Sequence, residues 1–392
     1  MMLKKILLIM FLCFYTSAFA KMHMSKSTYN SLMKAQKLIE KDDYKTSKKI
    51  LEELIKSDSK NDYEKSYILQ TLSNIYIHED NYKKVAKAYN QIIKYNAFEK
   101  DSIDKIKFSL SKIYLSLEKY KPSIKLSNEL LNSKVLKKND VYETLILAYY
   151  YEKKYKKSIN YSKKYFSSKK EIKESWYKIL YSSYVEIKDY NGAIKTMEIM
   201  VKLFSKNESY WVQLASLYQE KNRLKDSLAT LELAYKNGVL KNKNNILYFI
   251  NISLQNGVYK KANDLLTKAV ETGLVKEDKK IFELLVSTHV NAKDIDLAIK
   301  KIKSSEYGDE NKYKLILANL YYQKQEFKDS IAILDTMKTK RNTKTAGEKE
   351  LLKALCFYEL DDKKTSIKIL KQVVKNPHQK KRARSILKSL ES

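Results

Sequence analysis

The sequence predicts an all-α protein, a right-handed solenoid of about ten helical hairpins closed by a C-terminal capping helix. Three observations predict it. A mostly small side chain recurs at Ser47, Val85, Ser123, Ser158, Ala193, Ser227, Ala262, Ala298, Ser330 and Ser366, at intervals of 38, 38, 35, 35, 34, 35, 36, 32 and 36 residues. Six glycines and two prolines in 392 residues leave little room for β-hairpins or long loops. The stretch from Tyr210 to Lys236 reads as two short amphipathic helices folded back on each other, with Trp211, Leu214, Ala215 and Tyr218 on one face and Ser227, Leu231 and Ala234 answering them. Such a hairpin cannot bury both its sides alone, so it implies neighbours of its own kind.

Taken in order, the chain opens with Met1, Met2, Leu3, Lys4 and Lys5, runs apolar from Ile6 to Phe14, and reaches Ser17, Ala18, Phe19 and Ala20. A basic start, a short apolar core and an Ala-x-Ala end are the parts of a cleavable secretory signal. The expected leader is therefore 1–20, cut after Ala20, with the mature chain exported to the periplasm. An uncleaved anchor is the alternative, although the apolar run is short for a permanent span. Cys13 does not read as a lipidation site, because Met10, Phe11 and Leu12 before it include no small residue.

Hairpins are expected to begin near 28, 66, 104, 139, 174, 208, 243, 279, 311 and 347, with the cap at 379–390. Three residues before each crossing residue an apolar ring closes the turn at Tyr44, Tyr82, Tyr120, Tyr155, Tyr190, Tyr259 and Phe327; Leu224 and Ile295 replace it and Lys363 breaks the pattern. Nine residues before the crossing stands another aromatic, at Tyr76, Tyr114, Tyr149, Tyr184, Tyr218, Tyr321 and Phe357, with Leu38, Ser253 and His289 departing from it. Most of the 32 tyrosines thus serve as wedges between helices, hydroxyls at the wet edge. First helices carry small residues at Ala35, Ser73, Ser111, Ala215, Ala318 and Ala354, where two helices must approach closely. Ile146, Tyr181, Ile250 and Val286 are bulkier and imply wider crossings. Pro122 suits a first turn, and Gly238 and Gly273 suit left-handed helix ends. Ser305 to Asn311 and Thr339 to Gly347 are expected as mobile loops.

Removing Lys4 and Lys5 with the leader lowers the formal charge from +31 to +29. Only Arg223, Arg341, Arg382 and Arg384 are arginine among 77 basic residues, so the excess is lysine and reads first as a solvated surface. Residues 153–170 hold eight lysines and no acid. That face offers itself to anionic lipid headgroups or glycan phosphates, while export argues against nucleic acid; membrane contact is at most peripheral. The mature chain keeps a single cysteine, Cys356, so no internal disulfide is expected.

Catalytic patterns are missing. His23, His78, His289 and His378 lie far apart without ligand spacing, and no glycine cluster or nucleophile elbow occurs. No enzyme activity, cofactor or metal is expected. The functional surface expected instead is a groove lined by first helices. Aligned on the repeat, its residues are Tyr67, Gln70, Asn74, Phe108, Glu143, Tyr150, Tyr151, Lys178, Ser216, Gln219, Asn251, Gln255, Asn319 and Tyr322, with His78, Lys112 and Ser182 beside them. Amides can hold the backbone of an extended peptide while neighbouring aromatics take its side chains.

Trp211, Leu214, Ala215 and Tyr218, followed by a small-residue helix and repeated at close to 34 residues, resemble the tetratricopeptide (TPR) pattern. More narrowly, residues 211–241, 258–280 and 383–392, within a likeness covering about 205–392, resemble exported TPR proteins that accompany TonB, ExbB and ExbD components. That resemblance implies a non-enzymatic interaction scaffold, an accessory of a TonB-type energy-coupling system, whose partner is an envelope protein or an extended segment of one, TonB- or ExbD-like. The alternative is an adaptor in cell-envelope or peptidoglycan assembly that binds anionic surfaces through its lysine-rich face.

Overall fold

The computed structural model describes residues 24–391, so the expected leader, its cleavage point and His23 lie outside the described residues. Twenty-one α-helices and one short 3-10 turn, Glu306–Asp309, make up the regular structure there, and no strand occurs among the described residues. The chain divides into two compact units, one ending at Phe204 and the other beginning at Ser205. Each is a stack of helical hairpins, an α-solenoid of the kind the spacing predicts.

In the first unit the pairs are α1 (Lys26–Glu40) with α2 (Tyr44–Ile55), α3 (Asp62–His78) with α4 (Tyr82–Tyr95), α5 (Lys100–Ser116) with α6 (Tyr120–Glu129), α7 (Lys138–Tyr151) with α8 (Tyr155–Ser167), and α9 (Glu174–Glu186) with α10 (Tyr190–Leu203). In the second they are α11 (Glu208–Glu220) with α12 (Leu224–Lys236), α13 (Lys243–Gln255) with α14 (Tyr259–Glu271), α15 (Lys279–Asn291) with α16 (Ile295–Lys303), α17 (Asn311–Gln323) with α18 (Phe327–Asp335), and α19 (Lys344–Glu359) with α20 (Lys363–Val373). The cap is α21 (Lys380–Glu391), whose Ala383, Ile386, Leu387 and Leu390 cover Leu351, Ala354, Leu370 and Val373. It removes from water the apolar side that the last hairpin has no successor to cover.

All ten crossing residues are buried, and five of the six serines among them do more than fit. Ser47, Ser123, Ser158, Ser330 and Ser366 each donate a hydroxyl hydrogen bond of 2.7–3.0 Å to the carbonyl twelve residues earlier, on Ala35, Ser111, Ile146, Ala318 and Ala354. A small residue lets the helices close, and a hydroxyl there ties one helix's backbone to the other across a dry contact.

Every hairpin also turns the same way. The residue five before each crossing has a left-handed backbone: Asp42, Asp80, Glu118, Lys153, Lys188, Asn222, Gly257, Lys293, Gln325 and Asp361, with φ between 53° and 71°. The next N–H then bonds back, at 2.8–2.9 Å, to the carbonyl of the residue at the aromatic position: Leu38, Tyr76, Tyr114, Tyr149, Tyr184, Tyr218, Ser253, His289, Tyr321 and Phe357. This six-residue closure satisfies a carbonyl that the helix end would leave bare. Gly238 and Gly273 do adopt φ of 67° and 71°, at the ends of second helices.

Ser305 to Asn311 is not an open loop. Ser305 accepts a hydrogen bond from the Tyr307 N–H at 3.2 Å, and the Tyr307 ring packs 5.4 Å from that of Phe282, which pins the segment. Of the second expected loop, Lys344 onward is already helix, capped by the Thr343 hydroxyl on the Ala346 N–H at 3.2 Å.

Candidate functional site

The aromatic position decides how neighbouring hairpins meet. In the first unit the Tyr76 hydroxyl donates to Glu52 at 3.3 Å, and the hydroxyls of Tyr114 and Tyr149 accept from Asn90 and Asn128 at 2.6 and 3.2 Å. Each partner lies five residues after a crossing residue, on the preceding second helix. Burial and the nearby Glu52 carboxylate push the Tyr76 phenol up to about 12, so it stays a donor at ordinary pH. With rings committed in this way, the side chains of first helices left at least partly exposed include those eleven, eight and seven residues before the crossing, except Leu115 and Leu147, which are buried.

Within the first unit, Asn74 and Tyr151 are exposed, and Tyr67, Gln70 and Tyr150 are half-buried. Tyr151 stacks on Tyr120 at 5.6 Å, Tyr150 meets the edges of Tyr151 and Tyr155 at 5.4 and 5.7 Å, and Tyr67 packs on Phe98 at 4.8 Å. His78 stacks on Tyr44 at 3.8 Å. Lys178 pairs with Glu174 on its own helix at 2.8 Å. Glu143 accepts the Tyr165 hydroxyl at 2.6 Å and lies 3.6 Å from Lys169, so it is drawn towards α8.

Phe108 corrects the expectation. It is 3% exposed, packed with Leu130, Val141, Leu145 and Tyr149, and so cannot meet a partner. The position lies where one first helix touches the next, and burying a phenyl ring there removes more apolar surface than a groove would. Lys112, 5.1 Å over the ring, is what remains at the surface.

Within the second unit the expected residues make polar bonds between neighbouring first helices in two places. Gln219 accepts the Tyr248 hydroxyl at 2.9 Å and donates to Gln255 at 3.4 Å, linking α11 with α13. Tyr322 donates to Glu359 at 3.2 Å, and Asn319 donates to its own helix at Leu315, 2.7 Å away. Ser216, Asn251, Gln255 and Asn319 are exposed. The sequence reading named no groove residue on α15, yet there a cleft of about 540 Å³ opens between α15 and α17. Leu284, Val290 and Ile316 give it an apolar floor, and Ser287, Asn291 and Lys280 its polar edge. Glu283, on the same wall, is held below the usual carboxylate range by bonds from the Tyr313 hydroxyl at 2.7 Å and Lys312 at 2.9 Å. The spacing would have found these residues: eleven, eight and seven before Ala298 are Ser287, Val290 and Asn291.

Cys356 is fully buried and its Sγ lies 3.3 Å from the Ser330 hydroxyl; burial pushes the thiol up, which suits packing rather than nucleophilic chemistry. Among the described residues no group of three or more His, Cys, Asp or Glu is placed to hold a metal ion, and no helix is long and apolar enough to cross a membrane.

No family model matches the chain, and no curated protein matches it. Among solved structures, a tetratricopeptide repeat protein from Parabacteroides merdae ATCC 43184 is similar over 67% of this chain and 99% of its own, at 15% identity and a TM-score of 0.38. YrrB, a TPR protein with an unusual peptide-binding site, is similar over 49% of this chain and 97% of its own, at 12% identity and a TM-score of 0.36. The Cut9–Hcn1 hetero-tetramer of the APC/C matches 95% of this chain and 98% of its own, at 10% identity and a TM-score of 0.31. In hairpin length, crossing residues and turn, the hairpins described above are tetratricopeptide-like.

Proposed function

We propose that this chain is a non-enzymatic scaffold that holds an extended polypeptide segment against its first helices. The observation that carries the reading is the cleft between α15 and α17, where an apolar floor meets the exposed side chains of Ser287 and Asn291. That combination suits a chain segment: the floor takes one side chain, and the amide can donate to and accept from the backbone beside it. Panning a library of unstructured peptides against the protein tests it. The protein should select a consensus, and Ser287→Trp, which fills the cleft from an exposed position, should weaken the selected peptide at least tenfold. Selection that ignores the filled cleft would overturn the reading.

The finer reading places the protein in the periplasm as an accessory of a TonB-type system. It rests on the leader-like residues 1–20 and on the resemblance carried by 211–241, 258–280 and 383–392. Synthetic peptides spanning the periplasmic segments of the host's own ExbD- and TonB-like proteins are the ligands to try. A mature protein whose first residue is Lys21 would support export, and an intact Met1 would count against it. A second reading, an adaptor bound to anionic envelope surfaces, is favoured by the exposure of all eight lysines in 153–170.

A further inference from the structure

In the first unit three of the tyrosines at this position join their hydroxyls to the residue five after the preceding crossing: Tyr76 with Glu52, Tyr114 with Asn90 and Tyr149 with Asn128. The same positions in the second unit hold His289 on α15 and Thr267 on α14. An imidazole is shorter than a phenol, and here the bond is not made. His289 Nδ1 and Thr267 Oγ1 are both buried without a hydrogen-bond partner, although the His289 side chain belongs to a residue only 6% exposed. A buried polar atom left in this way is costly to the fold, so something polar belongs beside it.

Both residues line a cleft of about 670 Å³ between α14 and α16. The remaining wall is rich in donors. Asn263 is 3% exposed and has its carbonyl engaged by the Thr288 hydroxyl at 3.0 Å, which leaves its amide N–H groups as its free side. Lys268 and Lys300 stand at the mouth, and neither makes an ion pair among the described residues, whereas Lys301 is held by Glu277 at 2.7 Å. Asp264 and Glu271, both exposed, oppose them from α14.

We propose that this cleft binds a small oxyanion, a phosphate or a carboxylate, with His289, Thr267 and Asn263 donating from within and Lys268 and Lys300 balancing the charge. Hydrogen bonds to an ionised acceptor are the strong ones, and an oxyanion uses donors without calling for an acceptor in return. Burial keeps the imidazole below its ordinary range, with Asp294 and Asp264 acting the other way and Lys301 with burial, which favours its neutral form. Its Nδ1 can then carry the proton that the ligand accepts. The site lies between second helices and does not depend on the peptide reading of the first.

Calorimetry on the full chain with inorganic phosphate and with acetate, each against chloride at matched ionic strength, tests the proposal and separates the two oxyanions. Saturable binding of at least one, absent with chloride, is expected. Asp264→Asn should tighten it several-fold by removing a repelling charge, and Thr267→Val should weaken it several-fold. His289→Tyr supplies the ring found at six of the ten hairpins, so it should fold, raise the thermal midpoint and abolish binding. Identical heats with chloride, or binding that survives His289→Tyr, would overturn the assignment.

Discussion

Glu64 shows how one side chain can hold a pair of hairpins. It is 3% exposed on α3 and accepts the Ser25 N–H at 3.0 Å, the Ser25 hydroxyl at 2.7 Å and the Asn61 N–H at 3.1 Å. It thereby caps its own helix and, across 39 residues, the start of α1. Burial pushes the carboxyl up, but bonds from Thr28, Ser25 and Asn61 outweigh it and hold it at about 2, against an ordinary 4.5. A depressed acid contributes stability that is complete above its unfolded value and disappears as pH falls through the folded one. Glu64→Gln, which turns one acceptor into a donor facing donors, should therefore lower the stability of the first unit by about 1–3 kcal/mol at pH 7. The gap between the two proteins should begin to close near pH 4.5 and vanish towards pH 2, followed by thermal unfolding across that range. A gap that stays constant with pH would mean the carboxylate charge plays no part. The asparagine and glutamate of the cap can be read locally in the sequence, but the reach to Ser25 cannot, because it is set by how one hairpin stacks on the next. Phe108 is the opposite case: its position holds Gln70, Glu143 and Lys178 in neighbouring repeats but Leu32, Leu315 and Leu351 in others, and only the packing at that junction decides that a ring goes inward.

At the level of the helix, the turn explains why the spacing is so regular although the residues in it are not. Ten left-handed residues sit at one register, and only Gly257 among them is glycine. A reading keyed to glycine finds Gly238 and Gly273 and misses the other turns, since Asp, Asn, Glu, Gln and Lys are tolerated there by the closing bond from the next N–H. The crossing residues, aromatic wedges and cap were legible because they follow from how closely two helices can approach, which side-chain size alone expresses. A left-handed conformation costs an L-residue about 1–2 kcal/mol, and glycine's greater freedom when unfolded returns about 0.5–1 kcal/mol of the relief. Lys188, φ 58° and exposed, is a clean place to measure the difference. Lys188→Gly should stabilise the protein by roughly 0.5–1 kcal/mol, and Gly257→Ala should destabilise it by about 1 kcal/mol, both read from denaturant midpoints. Equal effects of the same sign would show that the turn is set by something other than backbone preference.

For the chain as a whole, the sequence made the architecture legible and left its use open, because stacking needs periodic side chains while recognition needs only a few aperiodic ones. The cleft on α15 went unread beside His289, the same departure from the aromatic pattern that opens the second cleft. The lysine excess is where sequence and structure together narrow the choices most. All eight lysines of residues 153–170 are exposed, so they can meet an anionic surface. The tyrosines among them are already engaged: Tyr165 is 1% exposed, Tyr161 lies flat on Tyr149 at 5.6 Å, and half-buried Tyr155 meets Tyr150 at 5.7 Å. Lys157, Lys163, Lys164 and Lys169 lie within 4.9–5.8 Å of tyrosine rings, which leaves Lys156 and Lys170 among the least engaged. Each lysine near an anionic membrane surface contributes about 1 kcal/mol, and that attraction fades beyond a Debye length of about 8 Å at physiological salt. If the adaptor reading holds, binding to phosphatidylglycerol vesicles at low salt should fall about tenfold or more when Lys156 and Lys170 are both changed to glutamine, and it should disappear on adding salt. Peptide capture at α15, driven by an apolar floor, should survive both changes. Absence of vesicle binding at low salt would remove the lysine face from consideration and leave the cleft as the surface to pursue.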